Sequence, residues 1–230
     1  MKTLGLIGGT SWVSTVDYYR YINKLANEKR GGLNYAQILL YSISFNDVKS
    51  LADAGDWENL GLLLSGIAQN LEKAGAGAIV LCANTIHIVA EKVEEKISIP
   101  LIHITDATAR EILRQGLKKV ALLGTRFTMD NDFYKERLAR FGIEAIIPND
   151  EERTFIHWSI FEELGKDIFT EETKQTYLEI IENLSDRGAE GVIFGCTEIP
   201  MLLKAEDCPV PSFDTTFLHA RAAVEYALAD

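Results

Sequence analysis

Two cysteines sit where an apolar run breaks into a polar turn. Cys196 follows Val192-Ile193-Phe194 and a glycine, and it opens the stretch Cys196-Thr197-Glu198-Ile199-Pro200. A thiol at a helix N-terminus has its pKa lowered by the backbone dipole, and the thiolate is the reactive form. A helix toward Met201-Leu202-Leu203 is expected to act on Cys196 in this way, leaving the N–H groups of Thr197 and Glu198 open to an anion. Gly195 permits close backbone approach. Cys82 follows Ile79-Val80-Leu81 and precedes Ala83-Asn84-Thr85. Asn84 and Thr85 are expected to cap a helix over residues 84–96, whose first amides can hold a carboxylate.

Two further turns, Gly8-Gly9-Thr10-Ser11 and Gly124-Thr125-Arg126, follow apolar runs without the spacing of a dinucleotide fingerprint or a P-loop. The four histidines, His87, His103, His157 and His219, have no metal-ligand spacing, and no CxxC occurs, so no metal is expected. His87, just after the Asn84-Thr85 turn, is a candidate proton carrier. A net charge of −11 argues against a nucleic-acid surface. No apolar run approaches the roughly 18 residues of a membrane span, and the start breaks at Gly8-Gly9 before a signal-peptide core develops. Three cysteines do not make a disulfide framework, which points to a cytosolic (cytoplasmic) protein with free thiols.

The elements that position these turns alternate. Short apolar runs at 4–7, 36–43, 78–81, 101–104, 120–123, 145–147, 191–194 and 211–213 read as strands, and helical patterns at 15–29 and 58–75 lie between them. Continuous apolar strands joined by helical crossovers imply an α/β fold with mostly parallel sheets. The chain also repeats itself. Residues 2–10 match 118–126, 75–85 match 188–198, and 99–112 loosely match 210–223, in the same order. This implies duplication. Two pseudo-symmetric Rossmann-like lobes follow, one of residues 1–98 plus 212–230 and one of 99–211. A ligand cleft is expected between them at the strand C-termini. The repeat sets Cys82 on Gly195 and Ala83 on Cys196. Side chains alternate faces along a strand, so this one-residue offset turns Cys82 away from the face Cys196 occupies.

The motifs GLIGGTSWVST, CANTIH, LLGTRFTM and GCTEIPMLL, in this order, resemble the aspartate/glutamate racemase family, and within it the branch of broad-specificity amino-acid racemases. The resemblance covers essentially the whole chain. It implies a PLP-independent isomerase of amino-acid metabolism that makes D-amino acids, needs no cofactor and forms a homodimer. Family members use one cysteine in CNT and one in GCT on opposite faces of the substrate Cα. Carried over, GCT gives Cys196 as catalytic, whereas CNT falls on Ala83-Asn84-Thr85, so the other thiol is missing. Cys82, His87 or Glu198 then remain as possible second acids, or a water in the space left by Ala83. Substrate contacts are expected from Gly9, Thr10, Ser11, Asn84, Thr85, Thr125 and Thr197, with Arg126 and Lys166 as candidates for a side-chain carboxylate. The substrate is aspartate, glutamate or a broader amino-acid set. The alternatives are a single-thiol relative resembling arylmalonate decarboxylases and a non-catalytic amino-acid-binding protein. A cysteine hydrolase is disfavoured, because no histidine stands beside Cys196 in sequence.

Overall fold

A computed structural model describes residues 1–229. The first half runs β1 (Leu4–Gly8), α1 (Trp12–Arg30), β2 (Ile38–Ser42), α2 (Phe45–Asp53), α3 (Trp57–Lys73), β3 (Ala78–Leu81), a 3₁₀ turn (Thr85–Val89), α4 (Ala90–Glu94), β4 (Leu101–Ile102) and α5 (Ile104–Arg114). The second half runs β5 (Lys119–Gly124), α6 (Arg126–Asp130), α7 (Asp132–Ala139), β6 (Glu144–Ile146), α8 (Asp150–Glu162) and a 3₁₀ turn (Leu164–Lys166). It continues with α9 (Glu171–Asp186), β7 (Val192–Gly195), α10 (Ile199–Leu202), a 3₁₀ turn (Ala205–Asp207), β8 (Ser212–Asp214) and α11 (Thr215–Leu228).

Two four-stranded parallel sheets result, ordered β2-β1-β3-β4 and β6-β5-β7-β8. The expected α/β fold of two similar lobes is what forms. The chain divides into one compact unit of Met1–Ile104 completed by residues from Thr216 onward, and a second of Thr105–Thr215. The crossings fall a few residues later than 99 and 212 because β4 pairs with β3 and β8 pairs with β7, each strand staying with its own sheet. Only the helices that follow these strands change unit, so α11 serves the first sheet and α5 belongs with the second.

The central strands β1, β3 and β7 are buried on both faces, which explains their continuous apolar character. In the first unit, Leu4, Leu6, Ala78 and Val80 pack with Tyr18, Ile22 and Ala26 of α1 and with Ala220, Ala223 and Val224 of α11. Ile7, Ile79 and Leu81 face the other way, against Leu60, Leu64 and Ala68 of α3. In the second unit, Ala121, Leu123, Val192 and Phe194 pack against Ile156 and Ile160 of α8 and Tyr177, Ile180 and Leu184 of α9. Side-chain caps fix several helix starts. The Ser11 hydroxyl accepts from the Ser14 N–H to begin α1, and Asn149 and Glu152 form a capping box on α8.

Candidate active site

In the second unit the strand-end turn is built around Cys196. Gly195 is required there: a Cβ at this position would lie 2.8 Å from the Leu123 carbonyl oxygen on the neighbouring strand. Cys196 is partly buried against the core that Val192 and Phe194 enter, on the same face as those residues. Its Sγ donates to Glu198 Oε2 at 2.9 Å, and the Thr197 hydroxyl donates to the same oxygen at 2.7 Å. The Glu198 carboxylate is buried and accepts from both neighbours.

This arrangement reverses the electrostatics expected from sequence. The helix that follows is α10, four residues long and starting only at Ile199, so no substantial dipole reaches the sulfur. Burial pushes the Cys196 thiol well above its ordinary value, and the adjacent Glu198 charge and its hydrogen bond push it further. The backbone N–H groups of Glu198 and Thr197 bond to the sulfur and act the opposite way, but they do not win. Those two amides therefore serve the cysteine. The pair is a thiol donating to a carboxylate oxygen at 2.9 Å.

Beneath it lies a polar layer that the sequence did not advertise. The Tyr177 and Ser159 hydroxyls are 3.0 Å apart and both buried, and the Tyr177 hydroxyl is pushed up by burial, with the Cys196 and Glu198 charges contributing. Tyr177 lies at a core position of α9, where helical periodicity reads it as packing.

Thr125 caps α6, its hydroxyl accepting from the Thr128 N–H. The Arg126 backbone N–H donates to His157 Nδ1 at 3.2 Å, and its guanidinium is occupied by Asp130, Asp150 and the Thr154 hydroxyl. Lys166 is exposed and paired with Glu162.

In the first unit, Gly9 adopts φ +90°, and a Cβ there would lie 2.1 Å from the Ile43 carbonyl oxygen, so only glycine fits. Its N–H donates to Thr15 Oγ1 at 2.9 Å. Ser11 caps α1, while the buried Thr10 hydroxyl has no hydrogen-bond partner among the described residues. A buried, unpaired hydroxyl in a strand-end turn is a ready contact for a polar ligand. Asn84 is buried and makes no side-chain cap, and the turn that starts at Thr85 is 3₁₀ rather than the expected α-helix.

Cys82 is fully buried with Leu6, Val80 and Tyr18, on the α1 and α11 face of the sheet, and burial pushes its thiol far up. Ala83 packs on the opposite face, with Ile79 and Leu81. Within its own unit, Ala83 thus has the placement that Cys196 has with Val192 and Phe194. His87 is buried, with Nδ1 2.8 Å from the Ala83 carbonyl oxygen and Nε2 accepting from the Ile104 N–H at 3.3 Å.

Comparison with known proteins now identifies the family. The profile described as Asp/Glu/Hydantoin racemase matches residues 7–223. The chain belongs to that family. A candidate Asp/Glu racemase from Yersinia pestis, known from its crystal structure, superposes with a TM-score of 0.95 at 48% identity over 100% of both chains. An aspartate racemase homologue from Pyrococcus horikoshii gives 0.88 at 38% identity, again over 100% of both chains. The broad specificity amino-acid racemase RacX of Bacillus subtilis is 24% identical over 98% of each chain. These likenesses support amino-acid racemase activity and an amino-acid substrate. Among the described residues, no helix is long and apolar enough to cross a membrane.

Proposed function

We propose that this racemase interconverts amino-acid enantiomers without PLP or any other cofactor, using Cys196 as its one catalytic thiol and Glu198 as the acceptor of that thiol's proton. The observation that carries the reading is the hydrogen bond from Cys196 Sγ to Glu198 Oε2, at the position where family members carry a catalytic cysteine. Proton transfer along it gives a thiolate beside a neutral carboxyl. The thiolate then takes the Cα proton of the substrate. The developing carbanion needs preformed donors, for which the Thr10 hydroxyl and the Asn84–Thr85 and Thr125 turns are suited.

The far-face proton comes from water at Ala83. Three observations favour this over a protein acid. The Cys82 thiol is sealed in the core, both His87 ring nitrogens are engaged, and Glu198 is bonded to Cys196 itself. Glu198 returns its proton to the hydroxide that the water leaves, so the cycle closes. The guanidinium of Arg126 already faces two carboxylates, which supports a substrate set broader than aspartate and glutamate. We place the enzyme in the cytoplasm, supplying D-amino acids, as a homodimer. Exposed Trp12, Val16 and Tyr19 on one stripe of α1 support self-association.

Proton NMR of L-glutamate and L-aspartate in D₂O tests this, with chiral analysis of the same samples. Wild type is expected to lose the Cα–H signal and form the D-enantiomer, and Cys196→Ser to do neither. Exchange that persists in Cys196→Ser would remove the thiol from the mechanism. No exchange across a wider amino-acid panel would move the protein to the decarboxylase-like or binding readings.

A further inference from the structure

We infer that His87 is a positioning residue, a neutral imidazole clasp that aims the Asn84 amide of the Ala83–Thr85 turn, and that it carries no proton in the reaction. The inference rests on that turn being part of the substrate site. The Ala83 carbonyl can only accept, so His87 Nδ1 carries the hydrogen. The Ile104 N–H can only donate, so Nε2 carries the lone pair. The two partners together fix the Nδ1–H tautomer, its orientation and its neutrality. Protonating the ring would set two N–H groups against each other at 3.3 Å in a buried site.

The consequence reaches the site through the peptide plane. The Ala83 C=O and the Asn84 N–H belong to one planar trans unit and point in opposite directions. Holding the carbonyl on His87 therefore directs the Asn84 N–H away from the imidazole, at a fixed angle. At its other end the same ring satisfies the first N–H of α5, a helix-start donor that lacks an intrahelical acceptor. One side chain thus ties the strand-end turn of β3 to the start of α5.

The surroundings suit a fixed clasp. Two titratable rings lie against it, His103 from the β4–α5 link, 4.6 Å away edge-on, and His219 from α11, at 5.5 Å. His219 is also bonded at both ring nitrogens. Its Nε2 donates to the Ile102 carbonyl at 2.6 Å, and its Nδ1 lies 2.8 Å from the hydroxyl of Tyr18 of α1. All three imidazoles and the tyrosine are buried. Residues 102 and 104 are thereby held from two sides by imidazole rings.

The test combines a spectroscopic signature with two partial replacements. Long-range ¹H–¹⁵N spectra of the full-length protein are expected to show His87 as the Nδ1–H tautomer, unchanged between about pH 5.5 and 9, the range that brackets an ordinary histidine. His87→Asn can still donate to the Ala83 carbonyl, whereas His87→Gln reaches Ile104 instead. His87→Ala is expected to slow Cα–H exchange of L-glutamate by about 10²-fold, the cost of misplacing a site group by roughly an ångström. His87→Asn should recover most of that loss and His87→Gln little of it. The Asn84 amide resonance should move in His87→Gln and stay near its wild-type position in His87→Asn. A titrating His87, an Nε2–H tautomer, or equal losses in both variants would overturn the inference. If wild type exchanges no substrate proton while the tautomer and the Asn84 shifts behave as stated, the racemase reading fails and the clasp stands.

Discussion

Replacing Glu198 with glutamine removes a charge and little else. The carboxylate oxygen lies 2.9 Å from the Cys196 sulfur, and a glutamine amide can accept from the thiol or donate to the thiolate at the same place. Two unit charges at that distance repel by about 6 kcal/mol at an effective dielectric of about 20. The carboxylate charge is spread over two oxygens and the sulfur is partly open to solvent, so about 2 kcal/mol is a fair share. At about 1.4 kcal/mol per unit, the Cys196 pKa should fall by roughly 1.5 units in Glu198→Gln. The sign is fixed, because deleting a negative neighbour always favours the thiolate. Iodoacetamide labelling against pH, read peptide by peptide, measures it. Cys208 serves as an internal control: burial and Asp207 push it up to about 11, and Glu198 is not among the charges acting on it. A Cys196 midpoint that stays within a few tenths of wild type, or rises, refutes the thiol–carboxylate pair as a contributor to the raised value.

Other substitutions test the register and the packing. Ala83→Cys restores a thiol on the face of Ile79 and Leu81, and inversion of glutamate should quicken by about 10²-fold or more, followed by chiral chromatography. Cys82→Ala should cost about 1 kcal/mol in urea unfolding and leave Cα exchange in place, since that thiol only fills core space. Alkali should destabilise the fold. Cys82, Tyr134 and Tyr177 are buried with raised values, so the unfolded chain ionises first. Their contribution is intact below the unfolded pKa and falls by about 1.4 kcal/mol per pH unit for each group above about pH 9 to 10, which urea midpoints will show. Arg126→Ala should raise the KM for glutamate by less than about tenfold, because Asp130 and Asp150 already compensate the guanidinium. A much larger rise would make Arg126 the side-chain anchor.

The fold was legible because duplication and strand character leave local marks. The central apolar runs become strands because both of their faces are covered, and the internal match of 75–85 to 188–198 fixes the parity of Cys82 against Cys196 from the sequence alone. What sequence could not show is how the turn after β7 ends. GCTEIP has a helix signature, with proline in its first turn, yet the segment makes only four helical residues before Leu203 turns extended. Burial of the thiol then sets the sign of its pKa shift, and pairing with Glu198 adds to it. Likewise, His87 reads as one histidine after a turn until β4 brings Ile104 to its far nitrogen, a contact between residues 17 positions apart.

The unequal proton inventory has a kinetic consequence that thermodynamics sharpens. Enantiomers have equal free energies in water, so kcat/KM must be the same in both directions whatever the enzyme carries at residue 83. A one-sided site can therefore reveal itself only inside the cycle. The enantiomer that presents its Cα–H to Cys196 loses that hydrogen to a sulfur whose proton is passed to Glu198 and on to solvent. If return from the carbanion is faster than protonation by water at Ala83, this substrate gains deuterium in D₂O before it inverts. The other enantiomer must lose its proton to hydroxide at that position and receive the thiol's, so under the same condition its recovered starting material stays unlabelled. Mass spectrometry of both enantiomers at early times should show this asymmetry in wild type, and Ala83→Cys should reduce it. Equal labelling of the two starting materials in wild type would mean that a second protein acid operates opposite Cys196.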